Sequence, residues 1–175
     1  MNKQITFAAL MVVLMSFVCP MRGWAQKVTI DDVKYSLYDD NHAEVIQNQT
    51  SISGDLVIPA SVSYEGTEYA VTSIGYAAFR DCRGLTSVVI PTSVTSIGER
   101  AFNGCRGLTS IVIPSSVMSI GKYAFSGCSG LTSAVISEGV MSIGERAFQS
   151  CSRLISIEIP LSVTSIGDYA FSGCI

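Results

Sequence analysis

The chain of 175 residues is long enough for one compact domain or one short array of repeats. Apolar residues make up 48% of it and charged residues 14%, which excludes a disordered chain, because disordered segments are polar and highly charged. The formal net charge is −3 and the 11 lysines and arginines are scattered, so we expect no nucleic-acid partner.

Residues 1–25 have the layout of a secretory signal peptide. Lys3 precedes a mostly apolar stretch, and Gly23 and Ala25 are the small residues expected at the −3 and −1 positions of a cleavage site. The stretch is shorter than the about 20 residues of a membrane span, and a retained N-terminal anchor is the alternative. We predict an exported, mildly acidic chain without a membrane span after cleavage.

Residues 26–73 are predicted to form a small β-rich N-terminal cap. Strand-like runs at 33–37 and 43–46 flank a polar turn cluster, a degenerate first repeat follows at 56–59, and an insertion at 64–69 is typical of a hairpin. Atypical terminal units cover the apolar end and open strand edge of a repeat array. We therefore expect this segment to close the front of a stack.

Residues 74–175 contain a gapless repeat of 23 residues. Phenylalanine, cysteine and leucine each recur in one fixed column. Four full copies and a truncated fifth begin at Ile74, Ile97, Ile120, Ile143 and Ile166. Such a period predicts a solenoid, since each unit is too small to bury its own apolar side and must cover it with its neighbours.

Each repeat is predicted to contain a strand, a bend and a short helix. Residues from Leu85 to Ile90 have the spacing of a leucine-rich strand, whereas Ile97 and Ala101 are spaced as on one helix face, with Ser96 as the N-cap. The fold class is therefore an α/β solenoid with one parallel β-sheet and short helical turns on its convex side. A plain parallel β-helix is the alternative, which helical geometry after Ile97 would exclude.

The recurring string IGxxAFxxCxxLxSxxIPxSVxS resembles the repeat of the BspA-like leucine-rich repeat family of bacterial surface proteins. The resemblance covers 74–175 and implies a leucine-rich-repeat solenoid on an exported protein, often part of a surface molecule that contacts host proteins or other cells. Two departures are the Ser-Glu-Gly sequence at 137–139 and Arg153, which replaces a recurring glycine. An arginine there argues against a required positive φ.

Five cysteines recur once per repeat: Cys82, Cys105, Cys128, Cys151 and Cys174. Stacked neighbours would lie about 4.8 Å apart, too far between Cβ atoms for a relaxed disulfide, and C-x-x-C spacing with histidine partners is missing. We predict buried, reduced thiols that act as small hydrophobes, with a metal or redox ladder as the alternative.

The sequence contains no recognisable catalytic constellation. The single histidine, His42, follows Asp39 and Asp40 in a cluster that could suggest a cation site but is typical of a turn. A G-x-S-x-G elbow and a phosphate-binding loop are both missing from the sequence. We predict no enzymatic activity, no cofactor and no metal.

Two outward surfaces follow from the repeat. What we call the turn face has alternating arginine and tyrosine beside alternating charges, which we expect to fix the register of the coils. Its main column is Ala77, Arg100, Tyr123, Arg146 and Tyr169. In the adjacent column, Lys122 is predicted to lie between Glu99 and Glu145.

The second surface, the strand face, is the candidate binding site. It consists of Ser87, Val89, Ser110, Val112, Ser133, Val135, Ser156 and Glu158. Small hydroxyls beside an apolar stripe offer hydrogen bonds and contact area, although a β-branched column also simply suits a strand.

We expect an exported module, at the cell surface or extracellular, that mediates recognition or adhesion by binding an extracellular or cell-surface protein ligand. A passive repeat scaffold or spacer of a longer surface protein is the alternative. The fifth repeat has no C-terminal cap, so we expect either a fragment of a longer protein or self-association through this end.

Overall fold

The structure, a computed structural model, describes residues 25–48 and 50–174, and this part of the chain folds into β-strands and turns. The predicted signal peptide lies outside the described residues except for Ala25. Within the described ranges, no helix is long and apolar enough to cross a membrane.

Fourteen strands are present in the described residues: β1 (Gln26–Ile30), β2 (Val33–Leu37), β3 (His42–Val45), β4 (Ser53–Val57), β5 (Ser61–Tyr64), β6 (Thr67–Ile74), β7 (Gly84–Val89), β8 (Ser96–Ile97), β9 (Ser110–Ile113), β10 (Ser119–Ile120), β11 (Ser133–Ile136), β12 (Ser142–Ile143), β13 (Ser156–Glu158) and β14 (Ser165–Ile166).

The first six strands form mostly antiparallel pairs. β1 pairs with β2 and β2 with β3, both antiparallel, and β3 then joins β6 in parallel. β5 and β6 form a hairpin whose turn residues, Glu65 and Gly66, both have left-handed backbones, as a two-residue hairpin turn of type I′ requires. Val33, Tyr35 and Leu37 of β2 are buried and belong to the same apolar core as the repeats.

Two parallel ladders run along the repeats, so the expectation of one parallel sheet is wrong. The short strands β8, β10, β12 and β14 extend the nine-stranded sheet that begins with β1. The longer strands β9, β11 and β13 form a separate sheet, with β4 and β7 beside it. Ser96 and Ile97 pair with Ser119 and Ile120 of the next coil. Ser96 is therefore a strand residue, and its predicted role as a helix N-cap is also wrong.

The predicted short helices are turns. Ala101 N–H donates to the Gly98 carbonyl at 3.3 Å, three residues back, but Arg100 N–H donates to Lys122 in the next coil at 2.9 Å and Phe102 N–H to Ala124 at 2.7 Å. Alternate amides thus point along the stack, whereas every interior amide of an α-helix bonds four residues back. Arg100 also has a left-handed φ of 57°, which ends any right-handed helix.

A single core runs through the stack. The phenylalanine, cysteine and leucine columns are buried through the first four repeats, and the rings of successive phenylalanines lie 5.1 to 5.6 Å apart between centroids, nearly parallel. The core is less covered in the last coil, where Ile159 is 42% and Ile166 48% exposed. The isoleucines at the equivalent positions of earlier coils are at most 7% exposed.

The recurring Ile-Gly step brings neighbouring backbones together. A Cβ on Gly121 would lie 2.5 Å from the carbonyl carbon of Gly98, and one on Gly144 would lie 2.6 Å from the backbone nitrogen of Lys122. A Cβ on Gly107 would lie 2.6 Å from the carbonyl oxygen of Arg83, although the φ of Gly107 is not in the left-handed region. The glycine of the Ile-Gly step and the glycine before the strand are therefore both explained by the close approach of neighbouring backbones.

Candidate binding face

The strand face is formed by alternate side chains of the longer strands, β7, β9, β11 and β13. Inward residues such as Val88 and Ile111 are buried, and the residue that follows each of them points outward. Val89, Val112 and Val135 are 56%, 58% and 42% exposed.

The register places the predicted face residues side by side. Val112 pairs with Val135 and Val135 with Glu158, while Ser110, Ser133 and Ser156 pair in the same way. β7 adjoins β9 through the Thr109 N–H, which donates to the Thr86 carbonyl at 3.2 Å and brings Ser87 and Val89 to the same surface. The eight residues thus form two adjacent columns.

Sequence analysis missed two members of these columns. Val57 pairs with Val89 and is 66% exposed, and Asp55 pairs with Ser87. Val57 belongs to the degenerate first repeat at 56–59 and Asp55 immediately precedes it, and the alignment of LVIP with VVIP at 88–91 could have indicated both.

Asp55 places a fixed negative charge at one end of the face. Its Oδ1 accepts hydrogen bonds from Ser87 Oγ at 2.7 Å and Thr86 Oγ1 at 2.8 Å. These bonds favour the carboxylate and hold the pKa of Asp55 below its usual range, that from Ser87 more strongly. The two hydroxyls are thereby held in one orientation.

A threonine ladder borders the serine column. Thr109 Oγ1 donates to the Thr86 carbonyl at 3.3 Å and Thr132 Oγ1 to the Thr109 carbonyl at 3.0 Å. In the next coil Ile155 takes this position and is 84% exposed. The rotamers of these threonines are fixed by the backbone, so a ligand that binds beside them orders few additional side chains.

The turn face has the predicted alternation of arginine and tyrosine. The Arg100 guanidinium lies 5.2 Å from the Tyr123 ring centroid, and that of Arg146 lies 5.2 Å from the centroid of Tyr169. The prediction that Lys122 lies between Glu99 and Glu145 holds only in part. Lys122 forms an ion pair with Glu145 at 2.6 Å, whereas Glu99 forms one with Arg100. Each cation here has a partner within the chain.

The cysteine column is buried as predicted for Cys82, Cys105, Cys128 and Cys151. None of the five cysteines of the column, all within the described residues, forms a disulfide, and Cys105 Sγ donates to the Phe79 carbonyl at 3.1 Å. Burial disfavours the thiolate and raises the pKa of Cys82 to about 11 and that of Cys151 to about 12. Such thiols are poor nucleophiles at neutral pH.

The side chain of His42 is held by contacts with neighbouring residues of the same turn. The imidazole stacks on the Tyr38 ring with centroids 4.3 Å apart, and its Nδ1 contacts Asp40. In the described ranges, no three histidine, cysteine, aspartate or glutamate side chains are grouped as metal ligands would be.

Comparison with known proteins places this fold in a family. Six copies of the BspA type Leucine rich repeat region match residues 61–175. The chain therefore belongs to the BspA-type leucine-rich repeat family, and the resemblance inferred from the repeat string is confirmed. The comparison with curated proteins yields no match.

Solved structures of bacterial leucine-rich repeat proteins are similar over most of the chain. A leucine-rich repeat protein from Bacteroides ovatus is 39% identical with a TM-score of 0.73, over 82% of this chain and 38% of its own. A leucine rich cell surface protein from Faecalibacterium prausnitzii is 31% identical with a TM-score of 0.65, over 85% and 46%. The T. pallidum leucine rich repeat protein is 29% identical with a TM-score of 0.74, over 85% and 68%. The chain thus spans less than half the length of the first two.

Proposed function

We propose that this chain is the recognition module of an exported protein, at the cell surface or secreted, and that its strand face binds an extracellular or cell-surface protein ligand. The observation that carries the proposal is the column of valines at 57, 89, 112 and 135, each 42% to 66% exposed on a hydrogen-bonded ladder. The proposal gives the chain a binding role and no catalytic one.

An exposed aliphatic stripe of this kind is suited to protein binding. Contiguous exposed apolar surface marks interaction sites, and its burial contributes about 25 cal/mol per Å² before the costs of association. β11, which carries Val135, is held by parallel pairing on both sides, with β9 and β13, and β4 pairs in parallel with β7. Repeat proteins present extended surfaces of this kind to their ligands.

Export is supported by two separate observations. The N-terminal sequence has the layout of a signal peptide, and the similar protein from F. prausnitzii is a cell surface protein. Together they favour a location outside the cytoplasm, where a protein ligand would be extracellular or on another cell surface.

A passive scaffold or spacer is the second candidate. It is favoured by the length of the relatives, since this chain matches 38% and 46% of the first two. A spacer would need the turn-face ladders and the shared core, but it would not need an exposed valine column.

The test compares one face with the other. The mature chain would be immobilised and exposed to extracellular-matrix and cell-surface extracts, and the ligand then purified and titrated against wild type, Val112→Lys and Met118→Lys. Met118 is 50% exposed just before β10 on the other ladder and is the matched control.

We expect Val112→Lys to weaken binding about tenfold or more, since a lysine on the valine column has to be desolvated, while Met118→Lys binds as wild type. Equal binding by wild type and Val112→Lys would contradict the proposed face. Failure to capture any protein would favour the spacer.

A further inference from the structure

Neighbouring coils of the turn face mostly avoid like charges. Along one column the sign alternates from Glu99 to Lys122 to Glu145, and Lys122 Nζ lies 2.6 Å from the Glu145 carboxylate. Asp168, in the last coil, is the one member of this column that follows a like charge. In the next column arginine alternates with tyrosine, so two guanidinium groups are never in adjacent coils there. Like charges in directly opposed strand positions are destabilising, and this arrangement largely avoids that cost.

Arg83 and Arg106 place two like charges in neighbouring coils. They occupy the same position in successive coils, and their backbones stack closely, since a Cβ on Gly107 would lie 2.6 Å from the Arg83 carbonyl oxygen. Both side chains are exposed, and the Arg83 side chain is 63% accessible. The next two coils have Ser129 and Ser152 here, so the fold itself does not require arginine.

The nearby acid does not neutralise this pair. Arg83 Nη2 lies 3.9 Å from Asp81 Oδ1, and the same carboxylate is shared with Arg80 Nε at 3.5 Å. Arg106 forms no ion pair with any residue in the described ranges. Asp55, on β4, is occupied by the hydroxyls of Thr86 and Ser87. Two guanidinium groups therefore share the Asp81 carboxylate, and the third, that of Arg106, has no ion-pair partner in the described ranges of a chain that is acidic overall.

This pair lies at the end of the strand face. Arg83 immediately precedes β7 and Arg106 lies four residues before β9. Each of these two coils therefore presents, in chain order, a guanidinium group, hydroxyl groups and a valine. From Arg83 to Val89 the chain extends about 20 Å at about 3.3 Å per residue. One extended ligand segment of six or seven residues could contact all three.

We propose that Arg83 and Arg106 bind a carboxylate-bearing segment of the protein ligand that docks on the strand face. This inference rests on the proposed function and specifies the chemistry of its ligand. Guanidinium groups recognise carboxylates through paired, charge-assisted hydrogen bonds, and a carboxylate placed between two of them offsets their repulsion. Departures from local consistency of this kind are expected where a protein binds something.

The first experiment uses two short peptides as probes. Acetylated and amidated hexaglutamate and hexaglutamine would be titrated into ¹⁵N-labelled mature protein at low salt and at 300 mM NaCl. We expect hexaglutamate to shift the amides of 83–87 and 106–110, with an affinity that falls with salt, and hexaglutamine to shift neither.

Variants separate this site from general electrostatic attraction. In Arg83→Ser/Arg106→Ser, which inserts the residue of later coils, the dissociation constant for hexaglutamate should rise about tenfold, whereas Lys27→Ser, exposed on β1, leaves it unchanged. An equal response of both variants would overturn the proposal. A clear preference of the wild type for heparin over hexaglutamate would overturn it too, since it would assign the site to sulfated polysaccharide.

A stability measurement excludes a structural role. Because Arg106→Ser removes repulsion from Arg83 and breaks no ion pair, we expect its melting temperature to rise by about 1 to 2 °C. A fall in melting temperature would mean that Arg106 stabilises the fold, and would overturn the reasoning.

The captured ligand separates this inference from the proposed function. Weaker binding by both Val112→Lys and the double arginine variant supports both. Weaker binding by Val112→Lys alone would refute the arginine contact and leave the strand face standing, while unchanged binding by both variants would refute the two together.

Discussion

Gly121→Ala tests how closely the coils are stacked. The added Cβ would lie 2.5 Å from the Gly98 carbonyl carbon, 2.7 Å from the Glu99 nitrogen and 2.7 Å from the Gly98 oxygen. All three are backbone atoms, so no side chain can rotate away. Ordinary contact needs about 3.5 to 4 Å, so the two coils have to separate locally by about 1 Å.

The expected loss of stability follows from two effects. Overpacking of this kind costs about 1 to 3 kcal/mol. The separation also stretches the bond from Gly121 N–H to the Ile97 carbonyl, now 2.8 Å, whose net contribution is about 1 kcal/mol. The free energy of unfolding should therefore fall by about 2 to 4 kcal/mol, a large part of the about 5 to 15 kcal/mol of a typical domain.

Urea unfolding of residues 26–175, followed by circular dichroism, would measure this loss. Gly127→Ala is the matched control, since its Cβ would have no atom nearer than 3.8 Å and only its left-handed φ of 74° is unfavourable to alanine. That control should lose about 1 kcal/mol, because the left-handed cost is partly offset by the lower entropy of the unfolded alanine chain. A loss for Gly121→Ala no greater than that for Gly127→Ala would refute the close approach.

Three further predictions concern other columns. Ser150 has a left-handed φ of 59° where three other coils have glycine, so Ser150→Gly should raise the free energy of unfolding by about 0.5 to 1 kcal/mol, and a decrease in urea titration would contradict the strain. The buried thiols keep their protons in the folded state, where the pKa of Cys82 is about 11, while thiols of the unfolded chain ionise near about 8.5. Stability should therefore be complete at pH 8 and fall as pH rises toward 11, less steeply in Cys128→Ala; identical slopes for the two proteins would exclude the thiols as the cause. Tyr123→Ser removes the ring between Arg100 and Arg146 and should lower the melting temperature in a thermal scan, whereas an unchanged value would mean that the ladder does not stabilise the fold.

The repeats allowed the packing of this chain to be predicted from its sequence. A phenylalanine that recurs every 23 residues has to lie over its copies in any stack, and Phe79 to Phe148 are indeed fully buried with their rings stacked. The outward position of Val112 followed from strand alternation in the same way. The cap assignment of 26–73 stays a prediction.

Local backbone geometry was not readable in the same way. The four-residue spacing of Ile97 and Ala101 fits a helix as well as a turn, and what decides is the amide of Arg100, which bonds to a residue one coil later. A left-handed arginine is also uncommon enough that no sequence rule would place one there. The sequence contains the two arginines in equivalent positions of successive repeats, but only the structure shows how few acidic groups lie near them.

Hydrogen–deuterium exchange of the mature chain with and without its captured ligand would test the central claim most directly. The account predicts that the ligand slows exchange in β7, β9 and β11 and at the residues just before them, and leaves β8, β10 and β12 unchanged. Protection confined to β8, β10 and β12, with β7, β9 and β11 exchanging as in the free protein, would contradict it.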